Sequence, residues 1–119
     1  MHASLPAVSV VICTWNRSRL LRLTLEQMTR LEIPDGAQWE LIVVNNNCSD
    51  DTDVVLNEFT NLLPLVRLYE SRPGKSYAAN LAVEAAKGDY IIWTDDDVLV
   101  EPDWLKSYLK AFLDWPDAS

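Results

Sequence analysis

The sequence predicts an α/β fold: a single domain, residues 1–119, with a Rossmann-like, mainly parallel sheet and helices on both faces. Short β-branched apolar runs alternate with segments of helical spacing, and polar residues follow each run. Hydrophobic residues make up 49% of the chain and charged residues 24%, which is enough apolar material for one core. Strands that alternate with helices are typical of parallel sheets with right-handed crossovers.

Four apolar runs have the character of buried strands. Residues 8–13 and 41–44 are rich in β-branched side chains and too short for a buried helix. Residues 65–69 and 90–93 are two further strands. Strand alternation allows Trp93, at the end of the last run, to be buried.

The helices are predicted from apolar residues spaced three or four positions apart. Leu21, Leu25 and Met28 mark the first helix, and similar faces recur within residues 54–62 and 78–86. A fourth amphipathic segment follows the last strand and contains Trp104 and Trp115. Each strand is therefore followed by a helix.

Several residues are expected to mark the helix ends. Ser49 or Asp50 is expected to cap the second helix through a side-chain oxygen. Gly88 is expected to follow the third helix in a left-handed conformation, and Pro102 to lie in the first turn of the fourth.

The charge and the cysteine content restrict the partners and the compartment. The net charge of −8 argues against nucleic acid, because a large polyanion would be repelled. A small phosphorylated ligand would need local basic groups, backbone N–H groups or a bound cation. The two cysteines suggest neither a zinc site nor a disulfide framework. With no visible secretion signal, we expect a reduced, cytoplasmic compartment.

An acidic cluster, Asp95, Asp96 and Asp97, directly follows the last strand. Crowded carboxylates repel each other unless a cation or hydrogen-bond donors neutralise them. Such oxygen ligands suit Mg²⁺ or Mn²⁺, with a diphosphate completing the coordination shell. An acidic turn that caps the next helix is the alternative. Ligands of parallel sheets collect at the carboxyl ends of the strands, which favours the metal site.

Two more polar segments are predicted at the same edge of the sheet. Asn45 starts an asparagine triplet after the second strand, and its amide can hydrogen-bond a planar base or form an Asx turn. Lys75 follows the third strand and can meet phosphate oxygens. Gly74-Lys75-Ser76 is not a P-loop, because Tyr69 stands where that motif requires a glycine.

Three ordered segments together resemble the N-terminal half of family 2 glycosyltransferases, which have the GT-A fold. They are VSVVICTWNR, LIVVNNNCSDDT and RPGKSYAANLAVEAAKGDYIIWTDDDVLVEPDWL, and they span nearly the whole chain. The last segment contains a match to the family's Gly-x-Ser-x-Ala-x-Asn element and to its DXD motif. The resemblance implies a nucleotide-sugar-binding GT-A half-domain.

The resemblance also implies which residues form the site. The nucleotide-sugar-binding residues are expected to be Thr14, Asn16, Arg17, Asn45, Lys75, Asp95 and Asp96, and the metal ligands Asp97 and Asp95. Of the two motif aspartates, Asp97 is the better candidate for direct ligation. Two departures bear on the nucleotide: Asn45 stands where the family usually has Asp, and Ala79 where it often has Arg.

The implied reaction is metal-dependent, inverting transfer of a sugar from a nucleoside diphosphate, most simply UDP, to an acceptor hydroxyl on a saccharide or a lipid-linked molecule. The catalytic base is expected beyond Ser119, so the chain is expected to be truncated and inactive alone. Self-association of the truncated domain and a place at the inner face of the membrane for the full-length protein are further expectations.

Two other functions are compatible with the pattern. One is a non-catalytic α/β module that binds a nucleotide or a protein. The other is a receiver-type domain, but that class needs its acidic cluster after the first strand, where this chain has Thr14-Trp15-Asn16.

Overall fold

The computed structural model describes residues 5–115 and contains strands and helices in strict alternation. The strands are β1 (Val8–Thr14), β2 (Trp39–Asn45), β3 (Leu65–Tyr69) and β4 (Tyr90–Thr94). The helices are α1 (Ser18–Met28), α2 (Thr52–Phe59), α3 (Lys75–Ala85) and α4 (Trp104–Asp114). The predicted α/β fold is confirmed.

All described strands are parallel and form one sheet in the order β3-β2-β1-β4. In the pairing of β1 with β2, Val8 lies opposite Trp39 and Thr14 opposite Asn45. On its other side β1 pairs with β4, with Val8 opposite Tyr90. The parallel arrangement brings the carboxyl ends of the strands, and the polar loops that follow them, to one edge of the sheet.

Apolar cores lie on both faces of the sheet, as predicted. On one face Val8, Val10 and Ile12 of β1 pack against α1, α2 and α4. On the other face Val11 of β1 packs with β2 side chains against α3, which contributes Ala78 and Ala82. Alternate residues of one strand thus serve opposite cores, as the strand period of two requires.

Three strands are one to three residues longer than predicted. β1 and β4 include Thr14 and Thr94, and β2 begins at Trp39 and ends at Asn45. Backbone pairing continues past the apolar run, because Thr14 is still paired with Asn45 although both side chains are polar. The change in side-chain polarity therefore marks the end of the buried run but not of the strand.

The cap prediction for α2 is confirmed for Asp50, although Asp50 lies one residue further from the helix than expected, and the Pro102 prediction for α4 is wrong. The residue before α2 is Asp51, whose side chain makes no capping bond. Instead the Asp50 carboxylate accepts a hydrogen bond from the Thr52 backbone N–H at 3.1 Å. α4 begins only at Trp104, and Pro102 lies before it with its carbonyl accepting a bond from Glu32 N–H at 2.8 Å.

Gly88 is required for a reason other than the one predicted. The left-handed glycines of the described chain are Gly36 and Gly74, and Gly88 is not among them. α3 ends at Ala85 and the chain continues in extended conformation at Ala86. Gly88 packs so closely on β1 that a Cβ atom would lie 2.6 Å from the Ser9 nitrogen.

The burial predicted for Trp93 is also wrong, since half of the residue is exposed (50%). β4 is an edge strand, and α3 packs mainly over β1, β2 and β3, so Trp93 is only partly covered on that face. Of the two tryptophans predicted on the last segment, Trp104 packs against the core and Trp115 is exposed.

Candidate functional site

A cavity of about 390 Å³ opens at the carboxyl edge of the sheet. Its walls come from the ends of β1, β2 and β4 and from the start of α3. The lining residues are Cys13, Thr14, Trp15, Arg17, Asn46, Gly74, Lys75, Asp95, Asp96 and Asp97. Six of the eight predicted site residues therefore line one cavity, and Asn16 and Asn45 do not.

Asp96 differs from its two neighbours because it is turned into the protein. Its carboxylate accepts a hydrogen bond from the Thr14 hydroxyl at 2.8 Å, and its carbonyl accepts one from the Thr24 hydroxyl at 2.8 Å. Only 7% of its side chain is exposed. Asp96 thus fixes the acidic turn to β1 and α1.

Asp95 and Asp97 remain partly exposed on the cavity, and each is close to a cation. Lys75 Nζ lies 3.9 Å from Asp95 Oδ1, and Arg17 Nη1 lies 3.3 Å from Asp97 Oδ2. The same Arg17 nitrogen is 3.5 Å from Asp96 Oδ1. Arg17 and Lys75, the two basic residues predicted for nucleotide-sugar binding, therefore both contact the acidic cluster.

The donor set fits a hard divalent cation that is bound together with a phosphate ligand. Asp95 and Asp97 offer two carboxylates to one cavity, and carboxylate oxygens are ligands of Mg²⁺ and Mn²⁺. No group of three or more His, Cys, Asp or Glu side chains within residues 5–115 is arranged to hold a metal. Because Mg²⁺ sites commonly use one or two carboxylates plus substrate phosphates, two protein ligands are sufficient.

Asn45 lies behind the cavity with both ends of its amide engaged. Its oxygen accepts a hydrogen bond from Cys48 N–H at 2.8 Å, and its nitrogen donates to Asp53 Oδ1 at 3.1 Å. The sequence left an Asx turn open as the alternative, and the observed turn differs from it in that the bond reaches the third residue on and not the second. The predicted contact with a base stays a prediction, and it would have to use the second lone pair of the amide oxygen or the second N–H of the amide nitrogen.

Asn16 joins the loop after β1 to the loop after β2. It has a left-handed backbone (φ 51°), and its side-chain oxygen accepts a hydrogen bond from Ser49 N–H at 2.8 Å. The Cys48 thiol accepts a bond from Asn16 N–H at 3.3 Å. Next along the chain, Asp50 accepts one from Ser18 N–H at 3.0 Å. Asn16 is thus placed to hold the loop from which Arg17 projects.

Asn46 and Glu70 organise the loop that leads to α3. The Asn46 amide donates to the carbonyls of Glu70 and Arg72 at 3.2 and 2.8 Å. Arg72 donates to the Glu70 carboxylate at 2.7 Å and lies 4.3 Å from the centre of the Tyr77 ring. Hydrogen bonds from the Arg72 side chain and backbone lower the pKa of Glu70. Arg72 is therefore held away from the cavity, whereas Lys75 lines it.

Cys13 and Trp15 line the cavity although the sequence did not single them out. Cys13 is the last residue of the predicted first strand, and Trp15 lies two positions further on. Their place at the end of that strand was the signal that could have identified them. Burial raises the pKa of the Cys13 thiol, and the nearby Asp95 and Asp96 add to the increase, while Lys75 opposes it. The thiol is therefore neutral near pH 7, because its ordinary pKa is already about 8.5.

A second cavity of about 230 Å³ lies beside the first and shares Cys13, Lys75 and Asp95 with it. Trp93 and Ala79 contribute to its wall. Ala79 is the position at which the resemblance expected an arginine, so the small side chain there leaves room next to Lys75.

Comparison with known proteins agrees with this geometry. The sequence model described as "Glycosyl transferase family 2" matches residues 9–119. A probable glycosyltransferase of Bacillus subtilis, YdaM, is 37% identical over 98 residues, which cover 78% of this chain and 23% of YdaM. The glucosyl-dolichyl phosphate glucuronosyltransferase of Haloferax volcanii is 29% identical, over 93% of this chain and 36% of its own length.

Solved structures give the same result. The mannosyltransferase PcManGT of Pyrobaculum calidifontis, in complex with GDP-Man and Mn²⁺, matches 93% of this chain with a TM-score of 0.83 and 28% identity. S. aureus TarS 1-349, in complex with UDP-GlcNAc, matches 90% with a TM-score of 0.78 and 25% identity. The chain spans 33% and 31% of these two proteins, so it corresponds to about a third of each. Within residues 5–115, no helix combines the length and the apolar character needed to cross a membrane.

Proposed function

The chain belongs to glycosyl transferase family 2, and from this membership we propose that it is the donor-binding part of a metal-dependent transferase. In this proposal the cavity at the carboxyl edge binds a nucleoside diphosphate sugar, with a UDP-sugar as the first candidate, and Mg²⁺ or Mn²⁺. The sugar is transferred with inversion to an acceptor hydroxyl. We propose that this acceptor is a saccharide or a lipid-linked molecule.

One observation carries the proposal: Asp95, Asp97 and Lys75 line the same cavity at the ends of β4 and the start of α3. Two carboxylates alone would repel a diphosphate, and the net charge of the chain, −8, adds to that repulsion. A divalent cation between the carboxylates and the diphosphate removes the conflict. Such a cation also stabilises the charge that develops on the departing diphosphate.

The residues that contact the cation and those that contact the nucleotide have separate proposed roles. Asp97 and Asp95 hold the metal, and Lys75 meets a phosphate oxygen. Asp96 keeps the acidic turn in place through its bond to Thr14. Trp15 is mostly exposed at the cavity entrance and offers a flat surface on which a base can stack.

The bound ligands of the matched structures support a nucleotide sugar but leave its base open. PcManGT is described with GDP-Man and Mn²⁺, and TarS with UDP-GlcNAc. The chain spans about a third of either protein, so an acceptor site and a general base are proposed to come from residues other than 5–115. General base catalysis contributes roughly 100- to 10,000-fold to rates.

Calorimetric titration of the chain with UDP tests the proposal. We expect UDP to bind in the presence of Mn²⁺ and at least about tenfold more weakly in EDTA, a difference of about 1.4 kcal/mol. Asp97→Ala should abolish the effect of the metal. Asp35→Ala is the matched control, because Asp35 is an exposed aspartate in the turn between α1 and β2, outside the cavity lining.

Equal UDP affinity in Mn²⁺ and EDTA would remove the metal from the proposal. Absence of UDP, GDP and TDP binding under both conditions would favour a non-catalytic module that binds a protein. An Asp35→Ala effect as large as that of Asp97→Ala would mean that the response reflects overall charge and not the site.

A further inference from the structure

Arg17 occupies the position of a cation within the acidic cluster. Its Nη1 atom bridges two carboxylates, Asp97 Oδ2 at 3.3 Å and Asp96 Oδ1 at 3.5 Å. Lys75 approaches the third carboxylate only to 3.9 Å. The guanidinium thus neutralises the cluster more closely than the ammonium does.

The backbone around Arg17 is anchored by hydrogen bonds, whereas its side chain lies at the surface. Asn16 is bonded to Ser49, Ser18 is bonded to Asp50, and the Arg17 carbonyl accepts the first helical bond from Leu21 N–H at 2.9 Å. The Arg17 side chain, in contrast, is 53% exposed. A rearrangement of Arg17 would therefore be a change of side-chain rotamer with little movement of the backbone.

Asp97 cannot serve Arg17 and a metal ion equally well. A divalent cation held by the Asp97 carboxylate would repel the guanidinium, because both would lie beside the same carboxylate. Arg17 lines the cavity in which the diphosphate is proposed to lie, so a displaced guanidinium would still reach it. Arginine is well suited to such an exchange, because its planar donors match carboxylate and phosphate oxygens alike.

We propose that Arg17 is an exchangeable counter-ion that couples metal binding to nucleotide binding. Without metal it holds Asp97 and Asp96; when metal binds Asp97, it is released and binds the phosphates. This inference rests on the proposed function and assigns the regulation of the same site. Its consequence is that Arg17 opposes binding of the metal alone and favours joint binding of metal and nucleotide.

The experiment measures Mn²⁺ and UDP binding in wild-type chain and in Arg17→Gln. Free Mn²⁺ is followed by its electron paramagnetic resonance signal, with and without UDP, after correction for Mn²⁺ held by free UDP. UDP affinity is measured by calorimetry with and without Mn²⁺. The readout is the coupling factor, the ratio by which one ligand tightens the other, which must be the same in both directions.

We expect Arg17→Gln to bind Mn²⁺ alone about three- to tenfold more tightly, because two competing ion pairs are gone. We also expect the coupling factor to fall by about tenfold or more, since hydrogen bonds to charged groups contribute strongly. If Arg17 acted only through its positive charge, Arg17→Gln would change the affinity for Mn²⁺ alone and the affinity for UDP alone. It would leave the coupling factor unchanged. The coupling factor therefore separates exchange from simple electrostatics.

Arg22→Gln is the matched control. It removes the same charge from α1, the helix that directly follows Arg17, but Arg22 pairs with Glu58 at 2.7 Å and does not line the cavity. Its coupling factor should equal that of the wild type. Thermal unfolding of both variants shows whether they are folded.

An unchanged coupling factor in folded Arg17→Gln overturns the inference and leaves the proposed function intact. Wild-type chain that binds no UDP with Mn²⁺ refutes the proposed function itself. A fall in coupling for Arg22→Gln equal to that for Arg17→Gln also overturns the inference, because charge and not position would then be responsible.

Discussion

At the scale of single residues, three adjacent aspartates have different surroundings. Asp96 is bonded to Thr14 inside the protein, whereas Asp95 and Asp97 face the cavity. The sequence predicted that the cluster would lie at the cavity, which it does. It did not predict which member would turn inward, because that depends on a hydroxyl supplied by β1 from 82 positions away.

Asn45 is the residue whose placement departs most from the expected one. The sequence offered two readings of its amide, base contact or Asx turn, and both use the same atoms. The turn forms because Cys48 N–H and the Asp53 carboxylate lie within hydrogen-bond distance of that amide. Local sequence contains these partners but does not show that they converge on one side chain.

We predict that Asn45→Asp destabilises the chain by about 1 to 3 kcal/mol, the cost of an unpaired buried acceptor. The change replaces a donor with a carboxylate beside Asp53, 3.1 Å from the present nitrogen. Urea unfolding near pH 7 measures the loss. The control is Asn57→Asp on α2, which places the same negative charge beside Arg67 of β3. It should leave the unfolding free energy nearly unchanged.

Combining Asn45→Asp with Asp53→Asn should recover most of the stability, because donor and acceptor then exchange places. If Asn45→Asp is as stable as wild type but alters the preference among UDP, GDP and TDP, the amide is available to the base. That result would contradict the assignment of Asn45 to the turn.

At the scale of elements, the ends of helices are where sequence and structure differ. Expected positions for Pro102 and Gly88 came from the general preferences of helix termini. In the structure Pro102 instead accepts a bond from Glu32, and Gly88 meets β1. Both residues contact elements that are distant in the sequence. The preferences of helix termini depend on neighbouring residues only, so they do not predict such contacts.

We predict that Gly88→Ala costs about 3 kcal/mol in unfolding free energy, at the upper end for overpacking. The added Cβ atom would lie 2.6 Å from Ser9 N and 2.8 Å from Val8 C, so backbone must shift. The hydrogen bond from Gly88 N–H to the Ser9 hydroxyl would also be strained. Urea unfolding of the variant gives the value.

Gly36→Ala provides the comparison for this prediction. Gly36 has a left-handed backbone (φ +80°), and nothing lies within 4 Å of an added Cβ atom. Its replacement should cost only about 1 kcal/mol of backbone strain. A larger loss at Gly36 than at Gly88 would show that conformation, and not close approach, determines the requirement for glycine.

At the scale of the whole molecule, the sequence predicted the fold well because hydrophobic periodicity and the alternation of strands with helices are read from many residues at once. The number of strands, the faces covered by helices and the edge with the polar loops all follow from alternation. The exposure of Trp93 did not follow, because it depends on β4 being an edge strand that α3 covers only in part.

Acid stability is a property of the whole molecule to which two of its carboxylates contribute. Hydrogen bonds from Arg72 lower the pKa of Glu70. Burial acts to raise the pKa of Asp50, but hydrogen bonds from Thr52 and Ser18 outweigh it and lower that pKa as well. A carboxyl group with a lowered pKa in the folded state stabilises the fold above its unfolded pKa, and that contribution is lost as pH falls through the folded value.

We predict that the thermal unfolding midpoint falls as pH decreases below about 4, the ordinary carboxylate pKa range, and that it falls less steeply in Glu70→Gln. Glu26→Gln removes the same charge from the exposed surface of α1 and should follow the wild type. Thermal scans between neutral pH and the acid limit of reversible unfolding provide the measurement. Parallel curves for Glu70→Gln and wild type would contradict the prediction.

The hydrogen bonds between the loops after β1 and β2 bear on attempts to redesign this domain. Asn16 is bonded to Ser49, and Ser18 to Asp50, so neither loop keeps its shape without the other. A segment exchange with a relative that moves only the first loop would leave these donors and acceptors mismatched. The two loops, far apart in sequence, have to be transplanted together as one cassette if the Arg17 side chain is to keep its anchor.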